Sequence, residues 1–249
     1  MTEWLISDSG LAVWQFWTLV LSSFGGSLIT AVFGIGGGIL VLGIMASVMP
    51  PAALIPIHGM VQLASNAGRA AIMWRHIRFD TLGAFFVGAV GGAFLGGAIS
   101  VDLPGWVVQI GVGGFVLWNL YVRPPAWLGR WPVVTGAISS FLSMFFGATG
   151  PFAATFVRAL KLGRREHVAT HAALMTIQHG LKSLAFGLFG FAFGPWLGLL
   201  LAMVAAGFAG TIVGRVALEK MTDHGFGRAL NIVLTVIAVQ LILRGFMAM

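Results

Sequence analysis

Apolar positions along this chain gather into long blocks, with few short alternating or half-polar stretches. Apolar runs cover residues 11–32, 38–49, 52–74, 81–101 and 104–122, and a second series covers 133–146, 151–162, 166–190, 194–217 and 229–247. Runs of about 20 residues match a helix crossing the roughly 30 Å hydrocarbon layer of a bilayer. Within that layer only helices and closed barrels satisfy their own backbone groups. The pattern predicts an all-α polytopic membrane protein, one membrane domain over 1–249, with the Pro-rich stretch from Arg123-Pro124-Pro125 to Arg130-Trp131-Pro132 at its midpoint. Blocks 38–49 and 151–162 are short for a crossing. Two counts follow: ten segments if each short block returns the chain, and eight if each is half of a bent helix.

Two of the long blocks carry polar side chains. His58, Gln62, Asn66 and Arg69 recur at i, i+4, i+8 and i+11, which places them on one helical face. His171, Gln178, His179 and Lys182 lie in the second block. A shift of 113 residues sets His58 on His171, Asn66 on His179 and Arg69 on Lys182. It also sets Ser27 on Ser140, Phe33-Gly34 on Phe146-Gly147 and Gly97 on Gly210. This register divides the chain into repeat 1, residues 11–122, and repeat 2, residues 133–247. Polar and cationic groups in apolar helices are expensive and mark pathways or binding sites. Structural roles compete with that reading. Arg69 stands close enough to its block end to snorkel to the interface, and membrane His, Asn and Gln often tie helices together. Arg158 either lines the path or pairs with Glu166. Ser139, Ser140 and Ser143 fit close helix contact and receive no role.

Charge adds orientation. Cytoplasmic loops collect Lys and Arg. The loop with Arg75, His76 and Arg78 is basic, while its counterpart near Phe193-Gly194-Pro195 is uncharged. Conversely, Pro50-Pro51 is uncharged, while its counterpart holds Lys161, Arg164 and Arg165. The turn at Asp102 lacks a basic residue, while its counterpart holds Arg215, Lys220 and Arg228. Corresponding loops therefore face opposite sides, the mark of an inverted-topology repeat of about five segments each, with both termini outside. Composition agrees with a bilayer. Hydrophobic residues make up 58% and charged residues 8%, with mean hydropathy +0.97, against roughly 25% charge in a soluble domain. The net charge of +7 lies mainly in loops, so it speaks to orientation and gives no nucleic-acid surface. With no cysteine, disulfides, thiolate metal sites and iron–sulfur clusters are excluded. Glu3 and Asp8 with no basic n-region argue against a cleaved signal peptide.

Between the first two blocks stands Phe33-Gly34-Ile35-Gly36-Gly37-Gly38-Ile39, and in the second half Phe146-Gly147-Ala148-Thr149-Gly150-Pro151-Phe152. Glycine permits sharp turns and close approach of a ligand to the backbone, and Pro151 suits the first turn of a new helix. Each break predicts a short helix whose free N-terminal N–H groups favour an anion. Close helix contact is the competing reading of the same glycines. Gly34-Ile35-Gly36-Gly37-Gly38 in a first apolar hairpin, recurring in altered form half a chain later, resembles the sulfite exporter (TauE/SafE-type) family, within the toluenesulfonate-uptake permease group. The similarity covers nearly the whole chain. The resemblance implies a multi-pass transporter in a bacterial-type inner membrane, moving sulfite or organosulfonates. The second copy departs from the first in carrying Thr149 and Pro151.

The candidate site joins these features. Asn66, Gln178 and His179 form its centre, with backbone N–H groups of Gly36, Gly37 and Gly38 and of the stretch from Thr149 and Gly150 to Phe152. Arg69 and Lys182 supply positive potential, His58 and His171 stand at the rims of two vestibules, and Gln62 and Ser65 are secondary members. The expected function is a secondary transporter for small sulfur-containing anions, exporting by alternating access, with no enzymatic activity. The expected partners are a small anionic substrate and the lipid bilayer, with no cofactor, metal or nucleic acid; a homodimer is compatible. No Asp or Glu stands clearly within an apolar block, so a carboxylate proton relay is missing, and coupled uptake would fall to the histidines. Two rivals remain. A membrane redox protein could use His58 and His171 as axial haem ligands. Metal transport is weakened by Arg69, Lys182 and the lack of carboxylates.

Overall fold

Because a peptide group in hydrocarbon must find its partner within the protein, a chain of this composition folds into helices. The computed structural model describes residues 9–33, 36–100, 103–217 and 226–249. Glu3, Asp8, Gly34, Ile35, Asp102 and Lys220 lie outside the described residues, and only the backbone is described at Phe33, Arg215 and Arg228. The described residues form α-helices joined by short 3₁₀ turns, with no strand. In order these are α1 (Val13–Phe33), α2 (Gly37–Val48), α3 (Pro51–Ile72), α4 (Leu82–Ser100) and α5 (Gly105–Tyr121). There follow α6 (Pro132–Phe146), α7 (Gly150–Ala159), α8 (Arg164–Leu188), α9 (Leu197–Ala217) and α10 (Phe226–Met247). Ten separate α-helices are therefore present among the described residues, and the short blocks are helices in their own right. Prolines at the first turns of α3, α6 and α7 start those helices where no N–H is required.

The two short helices follow turns that only glycine adopts readily. Gly36, before α2, has φ 105°, and Gly147, after α6, has φ 77°. These angles separate α1 from α2 and α6 from α7, instead of leaving two long bent rods.

Helix pairs meet through small residues, as expected where lipid supplies no hydrophobic drive and backbones must approach closely. The chief partnerships are α4 with α6, α1 with α9, α5 with α10 and α3 with α8. Gly88, Gly92 and Gly96 of α4 face the carbonyls of Val133, Ala137 and Phe141 in the same order, so α4 and α6 run parallel. Gly207, Gly210 and Gly214 of α9 likewise meet Ser23, Phe24 and Leu28 of α1 in parallel. By contrast Gly59 of α3 meets Lys182 and Ser183 of α8, while Gly180 meets Leu63, an antiparallel course. Helices α5 and α10 are also antiparallel, with Gly113 against Ala238 and Ile242, and Gly245 against Trp106 and Ile110.

Helices α2 and α3 sit inside this frame. Leu42 and Met45 of α2 and Leu54 and Ile57 of α3 pack with Phe16, Leu19, Leu199 and Leu241 in the main core. A smaller core joins Phe85, Phe156 and Leu174. Trp14, Leu201, Ile212, Val236 and Leu243 are exposed on the outer helices, where a bilayer would cover them. The segments Phe79–Ser100 and Gly194–Gly214 are long and apolar enough to cross a membrane.

The α4–α6 contact is open to direct trial. A Cβ at Gly92 would collide with the Ala137 backbone, whereas one at Gly91 meets nothing. Gly92→Leu should lower the melting temperature of purified protein through an overpacking cost of about 3 kcal/mol, and Gly91→Leu should leave it unchanged. Equal melting temperatures for the two variants would contradict the close approach.

Candidate functional site

The antiparallel course of α3 and α8 brings the two polar stripes together. They border a cavity whose wall also includes both helix breaks. From α3 come His58, Gln62, Asn66 and Arg69, and from α8 come His171, Met175 and His179. The first break supplies Gly36 and Gly38; the second supplies Gly147, Ala148, Gly150 and Pro151. The amino-terminal ends of α2 and α7 thus border the same space, and each carries the partial positive charge of a helix start.

The histidines support the breaks in the same way. His58 Nε2 lies 3.1 Å from the Gly38 carbonyl, and His171 Nε2 lies 3.2 Å from the Gly150 carbonyl. A carbonyl only accepts, so both rings carry their proton on Nε2 for this bond. Gln62 has its amide 3.3 Å from His58 Nε2; with that ring nitrogen donating, the amide oxygen is the group suited to face it. Asn66 donates to the Gln62 carbonyl at 2.8 Å and accepts from Arg69 Nη1 at 3.4 Å. A polar path therefore runs from Arg69 through Asn66, Gln62 and His58 to the first break. The His58 and His179 rings meet edge to face at 6.2 Å. Nδ1 of each is buried without a partner, which leaves unused hydrogen-bonding capacity beside the cavity.

Other candidates stand behind the wall. Gln178 is wholly buried; its Oε1 accepts from Ser139 Oγ at 2.5 Å and its Nε2 donates to Thr149 Oγ1 at 2.7 Å. Gln178 and Thr149 thus hold the second break in place and do not border the cavity. Lys182 is also wholly buried. Its Nζ donates to the Ser143 carbonyl at 3.4 Å, and its stem lies on Gly59. Gly37 is pressed against Gly26 of α1. The Phe152 N–H is bonded to the Thr149 carbonyl at 3.0 Å, and its ring stacks with Phe115 and Trp118 at 6.2 and 5.3 Å. Arg158 is exposed and donates to Thr155 at 3.0 Å, and among the described residues no ion pair joins it to Glu166.

Two contributors escaped the sequence reading. Ser139 completes the Gln178 network; the spacing of Thr135, Ser139 and Ser143 along one face of α6 was the available signal. Asn119 of α5 donates to the Ala148 carbonyl at 3.4 Å, and its Oδ1 is buried without a partner. Its signal was a lone amide inside an apolar block.

An all-helical chain with exposed apolar flanks and inward-facing cations and imidazoles is a membrane protein with a polar interior suited to a small solute. The family model described as sulfite exporter TauE/SafE matches residues 19–241. The chain belongs to this family, and so to integral membrane transporters of sulfur anions. No curated protein and no solved structure matches it.

The network around the second break makes a stability prediction. Ser139→Ala strands the buried Gln178 oxygen, at a cost of about 1–3 kcal/mol, and should lower the melting temperature of purified protein. An unchanged value would mean that the network does not secure the break.

Proposed function

We propose that this protein is a secondary transporter exporting small sulfur oxyanions or organosulfonates across a bacterial-type inner membrane by alternating access. The observation that carries the proposal is convergence on one cavity. Two helix starts, the Arg69 guanidinium and three histidines border it, and no carboxylate borders it among the described residues. Helix starts and cations favour anions, and an Arg fork matches the oxygens of a sulfite or sulfonate group. Lys182 stands behind the cavity wall, with its stem on Gly59 and its Nζ donating to the Ser143 carbonyl.

Helix directions support the inverted repeat on which this mechanism rests. Under the 113-residue register α3 corresponds to α8 and α5 to α10. Both pairs run antiparallel, as inversion requires. The same exchange turns the α4–α6 partnership into α9–α1, and both of these are found. Two such halves rocking about the shared cavity would expose it to each side in turn. An inside-negative potential drives anion exit by about 2.3 kcal/mol per charge per 100 mV, so export needs no coupled ion. A haem-ligating role for His58 and His171 gains no support, because Nε2 of each is bonded to a backbone carbonyl.

The test is thermal stabilisation of purified protein by sulfite, sulfate, thiosulfate, taurine, isethionate and sulfoacetate at fixed ionic strength. A true ligand raises stability by mass action, about 2.7 kcal/mol at a hundred times Kd. A selective rise with one sulfur anion is expected, and no rise with any of them would sink the proposal. Lys182→Met makes a sharper trial. It removes a buried ammonium that has one carbonyl partner, so the free protein should melt at a higher temperature. The anion-dependent rise should vanish in the same variant. A retained rise would exclude Lys182 from anion binding.

A further inference from the structure

A second, much smaller cavity lies between α1, α3 and α9, and Arg69 borders both this cavity and the central one. Ser27, Ser65 and Thr211 add hydroxyls to its wall, beside Val61, Met203 and Phe208. Thr211 donates to the Gly207 carbonyl at 3.0 Å. The hydroxyls of Ser27 and Ser65 bond to no group among the described residues. Among the described residues Arg69 itself is held by one long bond, 3.4 Å to Asn66, and no carboxylate borders either space. The repeat-related positions look quite different. Ser27, Ser65 and Arg69 correspond to Ser140, Gln178 and Lys182. All three of those are wholly buried and border neither cavity. Of two repeat-related sets of positions, one borders a cavity and the other is packed shut.

We infer that the α1–α3–α9 cavity is a second anion subsite, an antechamber where a small oxyanion meets Arg69, Ser27 and Ser65 before entering the central cavity. The inference rests on the anion-transport reading. The free cation and the hydroxyl donors select an oxyanion over a neutral or cationic solute. Because Arg69 borders both spaces, its guanidinium can follow the anion from one to the other without leaving a buried charge unpaired.

The natural chain has no cysteine, so Ser65→Cys and Ser27→Cys each introduce a single thiol. Purified protein in detergent is treated with anionic 2-sulfonatoethyl methanethiosulfonate or with its cationic trimethylammonioethyl analogue, each rate being scaled to that reagent's rate with a free thiol. Both thiols should react, with the anionic reagent favoured about tenfold by the nearby charge. Adding Arg69→Gln should abolish the preference, and Arg69→Lys should keep it, which separates charge from misfolding. Unreactive thiols, equal scaled rates or indifference to Arg69→Gln would overturn the subsite. Thiosulfate movement into vesicles carrying the natural protein is measured separately. Movement without any reagent preference overturns the subsite alone. Reagent preference without movement of any sulfur anion overturns the transport reading and leaves a binding subsite.

Discussion

A helix that stops inside hydrocarbon must pass its loose backbone groups to other partners, and this obligation organises the interior of the molecule. The chain stops at Phe33 and restarts at Gly37, then stops at Phe146 and restarts at Gly150. Each restart depends on an imidazole from a long neighbouring helix, His58 at Gly38 and His171 at Gly150. The second break needs more. Asn119 takes the Ala148 carbonyl, and Ser139, Gln178 and Thr149 form a closed set around the start of α7. Polar residues that look out of place in apolar helices are therefore the supports that allow the breaks to exist. The supported breaks in turn create a cavity that two helix starts face.

The two breaks are held by different means. Gly37 lies against Gly26, so backbone contact secures the first. In the 113-residue register Gly26, Gly36 and Ser65 stand where the second half has Ser139, Thr149 and Gln178. Side-chain hydrogen bonds therefore replace backbone contact at the second break. The same division reaches the cations. Arg69 borders two cavities, while Lys182 is sealed beneath Ser143. A guanidinium stays charged in almost any surrounding, and it spreads that charge over a weakly hydrated plane. It suits the open position, whereas a lysine can fold its stem across Gly59 and bury its single charged atom.

The sulfite exporter TauE/SafE family names a substrate class, and the proposed function places that class in this interior. Sulfite and sulfonates are compact, negatively charged and rich in acceptor oxygens. Helix starts, a guanidinium and hydroxyl groups all offer donors, and among the described residues no carboxylate borders the cavities to repel an anion. The surrounding helices contribute little chemistry. They hold parallel and antiparallel partners at backbone distance through Gly88, Gly92, Gly210 and Gly113, which keeps the interior narrow enough for few, well-placed groups.

Much of this was legible in the linear chain. Helical class, ten apolar segments with their breaks and the polar faces of α3 and α8 follow from periodicity, because burial in lipid imposes the same rule on every turn of a helix. The turn at Gly147 and the start of α7 at Pro151 were legible for a similar reason, since glycine and proline act locally on the backbone. What a side chain touches across the fold was not. Gln178 and His179 are adjacent in sequence and on one helix, yet His179 borders the cavity while Gln178 turns to Ser139 and Thr149. Lys182 and Arg69 occupy matching positions, yet one is sealed and the other open. Local rules decide where a helix runs and which face is polar. Whether a group on that face meets solvent, a ligand or another chain segment depends on helices distant in sequence, and only the tertiary structure decides it.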